Sequence, residues 1–132
     1  MLNRHLATVS VVLIASAFCT GSKTARSRSP SEVVVDFYTA CNEAKYSDAE
    51  AMITPESLQI LNSTFGVAGG LKSYCDGATE NGTLQRVEIV GQKSRGDGTD
   101  IHLILHRKSG NDQDIVETLI RSGTGWKIQV GG

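Results

Sequence analysis

The last third of the chain, from Thr83 to Val130, constrains the fold most, because four short segments in it alternate apolar and polar residues. A period of two places alternate side chains on opposite faces of a β-strand. Turns that contain glycine separate the segments, at residues 96–98, 110–111 and 123–125. Turns this short join neighbouring strands that run antiparallel. The sequence therefore predicts a four-stranded antiparallel sheet in which each strand pairs with the next.

The predicted strands differ in how clearly their buried face can be assigned. The first, from about Leu84 to Lys93, changes the face of its apolar residues near Gly91, which predicts a β-bulge there. The third, from about Asp114 to Arg121, has apolar residues on both faces, so its orientation is open. The second, Asp100–His106, and the fourth, Trp126–Val130, each have one wholly apolar face, formed by Ile101, Leu103, Leu105, Trp126, Ile128 and Val130.

Helix signals fill the region before the sheet. Ser29 and Glu32 form a capping box, and Pro30 occupies the first helical position. Apolar residues then recur at spacings of three and four, which predicts an amphipathic helix with Val33, Val34, Phe37, Tyr38, Cys41 and Ala44 inward. Three shorter helices follow: one capped at Ser47 with Ala51, Met52 and Ile53; one begun by Thr54 and Pro55 with Leu58, Ile60, Leu61 and Phe65; and one from Leu71 to about Thr79 with Leu71, Tyr74, Cys75 and Ala78.

The first 18 residues have the pattern of a signal peptide. Arg4 precedes an apolar run, Leu6 to Phe18, that is too short to span a bilayer permanently. Two cleavage sites are open: an ordinary one after Ala17, or a lipoprotein-like one before Cys19, which would then be acylated. We expect a polar tether at residues 19–28, a single domain at residues 29–132, and an exported protein that is periplasmic or held at the membrane by a lipid.

The chain has three cysteines, so one of them lacks a partner if a disulfide forms. Acylation of Cys19 would leave Cys41 and Cys75 as a pair, whereas cleavage after Ala17 would leave Cys19 as a free thiol. Disulfides form in exported proteins, and nothing near either residue suggests an activated nucleophile. We therefore predict a disulfide between Cys41 on the first helix and Cys75 on the last.

The order of these parts resembles the bacterial lipoproteins of unknown function whose domain is similar to nuclear transport factor 2, some of which are labelled lumazine-binding-like. The resemblance rests on the segments Ser29–Tyr38, Tyr46–Ala49, Ile53–Ser57, Gly70–Lys72, Asn81–Thr83 and Gly125–Ile128. It implies an α+β cone, in which N-terminal helices pack on a curved four-stranded antiparallel C-terminal sheet. It also implies a lipid-modified cysteine at Cys19 and a pocket inside the cone.

Enzymes of that superfamily place acids, bases or tyrosines inside the cone, where burial shifts their pKa values. In this chain the clear inward faces are aliphatic. Glu117 and Arg121 would face inward only if the third strand turns its odd-numbered residues to the core, and the favoured alternative is an ion pair or a solvated face. Tyr38, Tyr74 and Trp126 are predicted to line any pocket, with core aromatics as the alternative for the tyrosines.

Other site types are not favoured. The net charge is −1 and no basic stripe exists, which argues against nucleic-acid binding. His102 and His106 would lie roughly 13 Å apart on a strand, too far to share a metal ion. We expect them to face solvent on either side of Ile104, or to lie in a homodimer contact between sheet faces. No catalytic, metal or cofactor residue is assigned.

The sequence therefore predicts a non-enzymatic, exported and lipid-anchored cell-envelope domain that binds a small apolar ligand or an envelope protein. The first alternative is an isomerase or dehydratase that acts inside the cone, and the second is a purely structural or assembly role. A roomy cavity with two titratable groups in hydrogen-bond contact would favour the enzyme. A cavity filled by Trp126 and the helical aromatics would favour a binding surface.

Overall fold

A computed structural model describes residues 27–66 and 69–130. Four helices precede four strands in the chain. The helices are α1 (Pro30–Asn42), α2 (Tyr46–Glu50), α3 (Pro55–Phe65) and α4 (Gly70–Thr79), and the strands are β1 (Leu84–Arg95), β2 (Gly98–Arg107), β3 (Gln113–Ser122) and β4 (Gly125–Gln129). This confirms the predicted α+β class. The predicted signal peptide, the two cleavage sites and Cys19 lie outside the described residues, as does most of the tether.

Helix α1 begins as predicted. The Ser29 hydroxyl accepts a hydrogen bond of 3.2 Å from the Glu32 amide, and a carboxylate oxygen of Glu32 accepts one of 3.0 Å from the Ser29 amide. Together they satisfy backbone donors that the first helical turn leaves without partners. Ala44 is the exception to the predicted inward face, because the helix ends at Asn42 and Ala44 is exposed with a φ of 57°.

The predicted second helix was placed slightly too late. It begins at Tyr46, and no side chain caps its N-terminus, so the prediction of a cap at Ser47 was wrong. Met52 and Ile53 lie beyond its end and run parallel to β4: Ile128 donates to the carbonyl of Met52 at 2.8 Å and accepts from the Thr54 amide at 3.0 Å. These bonds pair the backbone of Ile128 on the edge strand β4, where its N–H and C=O would otherwise lack partners.

Helix α3 is capped by Thr54, whose hydroxyl accepts from the Ser57 amide at 3.1 Å. Leu61 is buried, but Ile60 is 42% exposed and Phe65 is 50% exposed, so only part of the apolar set predicted for this helix reaches the core. The Ser57 hydroxyl is buried and accepts a hydrogen bond of 2.7 Å from the Val130 amide. Helix α3 is thereby tied to the end of the sheet.

The sheet has the order β1-β2-β3-β4 with antiparallel pairs throughout, as predicted. The predicted bulge is confirmed by a register shift between Ile89 and Gly91. The face toward the helices contains the fully buried Ile101, Leu103, Leu105, Leu119 and Ile128, while Trp126 and Val130 are partly buried beside this core. On β3 the odd-numbered residues face the helices, and Val116 on the opposite face is 59% exposed.

Candidate functional site

A carboxylate is buried on the face of the sheet that the helices cover. Glu117 lies on β3 and is 5% exposed. Its cross-strand partner on β2 is Ile101, whose side chain is fully buried. Because directly paired residues of neighbouring strands point to the same face, the pairing carries Glu117 into the core. Buried carboxylates are rare unless they are paired or hydrogen-bonded, so its partners matter.

Two tyrosine hydroxyls supply those partners. Tyr38 on α1 donates a short hydrogen bond to Oε1 of Glu117, and Tyr74 on α4 donates to the same oxygen at 3.0 Å. The two hydroxyl oxygens are themselves 3.0 Å apart. The three groups therefore form a closed triangle that joins α1, α4 and β3, and we call it the Tyr–Glu cluster.

The disulfide between Cys41 and Cys75 holds the two tyrosine-bearing helices together. The structure confirms this predicted bond, which joins residues 34 positions apart, and both cysteines are buried. Tyr38 lies almost one helical turn before Cys41, and Tyr74 immediately precedes Cys75. The crosslink consequently fixes α1 against α4 close to the point where the two hydroxyls meet.

Burial shifts the pKa values of all three groups. The pKa of Glu117 is raised because the surroundings disfavour its charged form, although the hydrogen bonds from Tyr38 and Tyr74 act in the opposite direction. Burial is also the largest cause of the raised pKa of Tyr38 and of Tyr74, and the neighbouring Glu117 carboxylate adds to it. Both tyrosines therefore keep their protons at neutral pH and act as donors.

Beside the cluster is a cleft of about 260 Å³. Its walls come from the end of α3, from α4 and from β3, and they are Phe65, Ser73, Tyr74, Gly77, Ala78, Gln113 and Ile115. Tyr74 belongs to both features, since it lines the cleft and its hydroxyl contacts Glu117. None of the lining side chains carries a charge. Four other surface grooves among the described residues are larger, at about 450, 390, 580 and 410 Å³, and they are lined mainly by polar and charged residues.

The predicted pocket residues are only partly brought together. Tyr74 lines the cleft, whereas Tyr38 does not line it and is fully buried in the Tyr–Glu cluster. Trp126 lies elsewhere, in the groove of about 580 Å³. There the guanidinium carbon of Arg121 sits 4.6 Å from the centroid of the Trp126 ring.

The favoured interpretation of Glu117 as an ion-pair partner of Arg121 or as a solvated residue was wrong. The Glu117 side chain is buried and its partners are tyrosines. Four residues along a strand span roughly 13 Å, so Glu117 and Arg121 cannot reach each other directly. The alternation of Ile115, Glu117 and Leu119 was the available signal, but Val116 and Ile120 made the other face of β3 equally plausible.

The two histidines lie on the outer face of the sheet and contact carboxylates. His102 pairs with Asp114, and its side chain is 41% exposed. His106 contacts Asp112 through Nδ1 at 2.7 Å, with Nε2 3.5 Å from Glu88, and its side chain is only 19% exposed, so the expectation of a solvent-facing residue was wrong for His106. Within residues 27–66 and 69–130, no group of three or more potential ligands is arranged to hold a metal ion.

Comparison with models of known protein families finds no match, and no curated protein matches the sequence. Solved structures, in contrast, do align with this chain. A Campylobacter jejuni protein provisionally described as an NTF2-like transpeptidase aligns with a TM-score of 0.59 and 12% identity, over 78% of this chain and 99% of that one. The solution structure of a SEC-C-motif-containing protein from Rhodopseudomonas palustris aligns with a TM-score of 0.56 and 15% identity, over 84% and 85% of the two chains.

Proposed function

We propose that this nuclear-transport-factor-2-like domain binds a small, largely apolar molecule in the cleft beside Tyr74, with the Tyr–Glu cluster as the polar end of the site. A cleft of about 260 Å³ that has uncharged walls and a buried carboxylate beside it fits the usual composition of a ligand site. The volume corresponds to about nine water molecules, which suits a ligand with a similar number of heavy atoms.

The observation that carries this proposal is the unused capacity of Glu117. Among the described residues, its second oxygen, Oε2, accepts no hydrogen bond, whereas Oε1 accepts from Tyr38 and Tyr74. A polar side-chain atom that is fully enclosed and lacks a hydrogen bond occurs among the described residues at Nε2 of His106. No atom of Glu117 is in that state. Oε2 is therefore not fully enclosed. Glu117 is not itself a wall of the cleft, so a bound molecule would reach this acceptor past the Tyr74 side chain.

Export and lipid anchoring form part of the proposal. The signal-peptide pattern of residues 1–18 and the position of Cys19 support them. The disulfide between Cys41 and Cys75 adds support, because such bonds persist mainly outside the cytosol. No helix within residues 27–66 and 69–130 has the length and apolar character needed to cross a bilayer.

Ligand binding is tested by filling the cleft. We expect 1-hexanol, titrated into wild-type protein and followed by NMR, to shift the signals of Tyr74 and Ile115 saturably. Ala78→Phe places a ring among the cleft walls and should abolish the shifts. Ala51→Phe, at an exposed position outside the cleft, is the matched control and should leave them unchanged. The absence of saturable shifts in wild type would rule out this cleft as a binding site.

The second candidate, proton transfer inside the cone, is favoured by the raised pKa of Glu117 next to two protonated tyrosines. A base of this kind would exchange protons next to a carbonyl group. The corresponding test is deuterium uptake by 2-hexanone in heavy water. Uptake faster with wild type than with Glu117→Gln would favour the enzyme, and equal rates would favour binding alone.

A further inference from the structure

The hydrogen-bonding capacity of the Tyr–Glu cluster indicates which polar group the proposed ligand carries. On the basis of the binding site proposed above, we infer that the cleft takes a short apolar amine whose protonated nitrogen pairs with Glu117. The inference rests on the proton count of the cluster, on the charges around it and on the composition of the cleft walls.

When Glu117 is ionised, the cluster has no donor left for a ligand. Each tyrosine has one hydroxyl proton, and an ionised carboxylate has none. Tyr38 and Tyr74 each donate their proton to Oε1 of Glu117, so both protons stay inside the cluster and the contact between the two hydroxyl oxygens adds no third donor. The capacity that remains consists of acceptors, namely Oε2 of Glu117 and the lone pairs of the two hydroxyl oxygens. A ligand must therefore bring the donor, which disfavours carboxylates and other anions.

The carboxylate also lacks a cationic partner. Within the described residues, its hydrogen-bond partners are the two tyrosines, and no Lys, Arg or His forms an ion pair with it. An unpaired charge in such a place is unfavourable, and an ammonium group would provide the missing partner. A hydrogen bond from a charged donor is about twice as strong as one between neutral groups, so an amine is preferred over an alcohol.

The cleft walls suit the rest of an amine. They contain the aromatic residues Phe65 and Tyr74 and the aliphatic residues Ala78 and Ile115, and no wall residue carries a charge that would compete with Glu117 for the nitrogen. Aromatic rings attract cations as well as apolar surfaces. A chain of about six carbon atoms fills most of the volume available, and longer molecules would extend into solvent.

The test compares three probes of nearly equal size by calorimetry at pH 7: hexylammonium, 1-hexanol and hexanoate. We expect hexylammonium to bind about tenfold or more tightly than 1-hexanol, and hexanoate to bind most weakly. Glu117→Gln should abolish the preference for the amine while 1-hexanol still binds. Glu56→Gln, at an exposed position on α3, is the matched control and should keep it. Thermal unfolding of both variants verifies that they are folded.

The outcomes separate this inference from the proposed function. Equal affinity for hexylammonium and 1-hexanol in wild type would overturn the amine but keep the ligand site, whereas no binding of any probe would overturn both. Should Glu117→Gln fail to fold, NMR of wild type decides. We expect cross-relaxation between the ring protons of Tyr74 and the methylene next to the nitrogen of bound hexylammonium. Contact of Tyr74 with the terminal methyl group instead would overturn the inference.

Discussion

The hydroxyl oxygens of Tyr38 and Tyr74 lie 3.0 Å apart, although the two residues are separated by 36 positions in the chain and lie on different helices. Both hydroxyls also reach the same oxygen of Glu117 on the sheet. Three elements thus meet at one polar point inside a largely apolar core. Networks of this kind stabilise a fold only when their members stay paired, so removal of one member affects the others.

Loss of the Tyr38 hydroxyl should destabilise the domain. Tyr38→Phe removes one donor from Oε1 of Glu117 and keeps the ring, so we expect the free energy of unfolding to fall by about 1–3 kcal/mol. Tyr46→Phe is the matched control, because the Tyr46 hydroxyl also donates to a carboxylate, that of Asp76, but near solvent. Urea unfolding measures both. An equal effect of the two substitutions would contradict a special role for the buried cluster.

The stability of the domain should depend on pH through Glu117. Burial raises its pKa above the ordinary value of 4.5, so at pH values between the unfolded-state and folded-state pKa the folded protein keeps a proton that the unfolded chain has lost. Its contribution is therefore largest below pH 4.5 and decreases as the pH rises through the folded-state pKa. We expect the difference in unfolding free energy between wild type and Glu117→Gln to decrease over this range. Parallel pH profiles for the two proteins would refute the raised pKa.

Reduction of the disulfide should lower the melting temperature. The bond between Cys41 and Cys75 closes a loop of 34 residues, and its loss should reduce the free energy of unfolding by about 3–4 kcal/mol in the chain-entropy description. Differential scanning calorimetry with and without reductant measures the effect. The double variant Cys41→Ala and Cys75→Ala is the control, since reductant should leave its melting temperature unchanged. Thiol labelling of both residues in unreduced protein would show that no bridge forms.

Export with a lipid anchor predicts a defined mass and location. Intact mass spectrometry of protein from its own cells should find a chain that begins at Cys19 and carries acyl groups, and fractionation should find it in the membrane. Cys19→Ser should release the protein from the membrane, because acylation needs the thiol. A wild-type chain that begins at Phe18 would instead indicate ordinary cleavage after Ala17, without an anchor.

A homodimer through the outer sheet face predicts self-association that depends on concentration. Val90 and Val116 are 50% and 59% exposed on β1 and β3, so burial of this surface would favour contact between two copies. Val116→Asp should shift sedimentation toward the monomer, whereas Ile60→Asp on α3 should not. Sedimentation of wild type as a monomer at every concentration would eliminate the dimer.

Local signals predicted much of the fold. The capping box at Ser29 and the alternation of Ile101, Leu103 and Leu105 specify an element and its buried face without reference to distant residues. The count of cysteines suggested the bond between Cys41 and Cys75, which the structure contains. Local signals failed where one residue type fits two positions. Ser47 has the side chain of a helix cap, but it lies one residue inside the helix, which begins at Tyr46.

The sequence by itself determined the order of helices and strands, the sites of the turns and the buried face of β2, because these depend on periodicity and on backbone preferences of neighbouring residues. Only the tertiary structure decided that Glu117 is buried. Both faces of β3 carry apolar residues, and the choice between them follows from the pairing of Glu117 with Ile101 on β2. That pairing also brings the carboxylate to Tyr38 and Tyr74, whose proximity depends on how α1 and α4 pack and on no pattern within either helix.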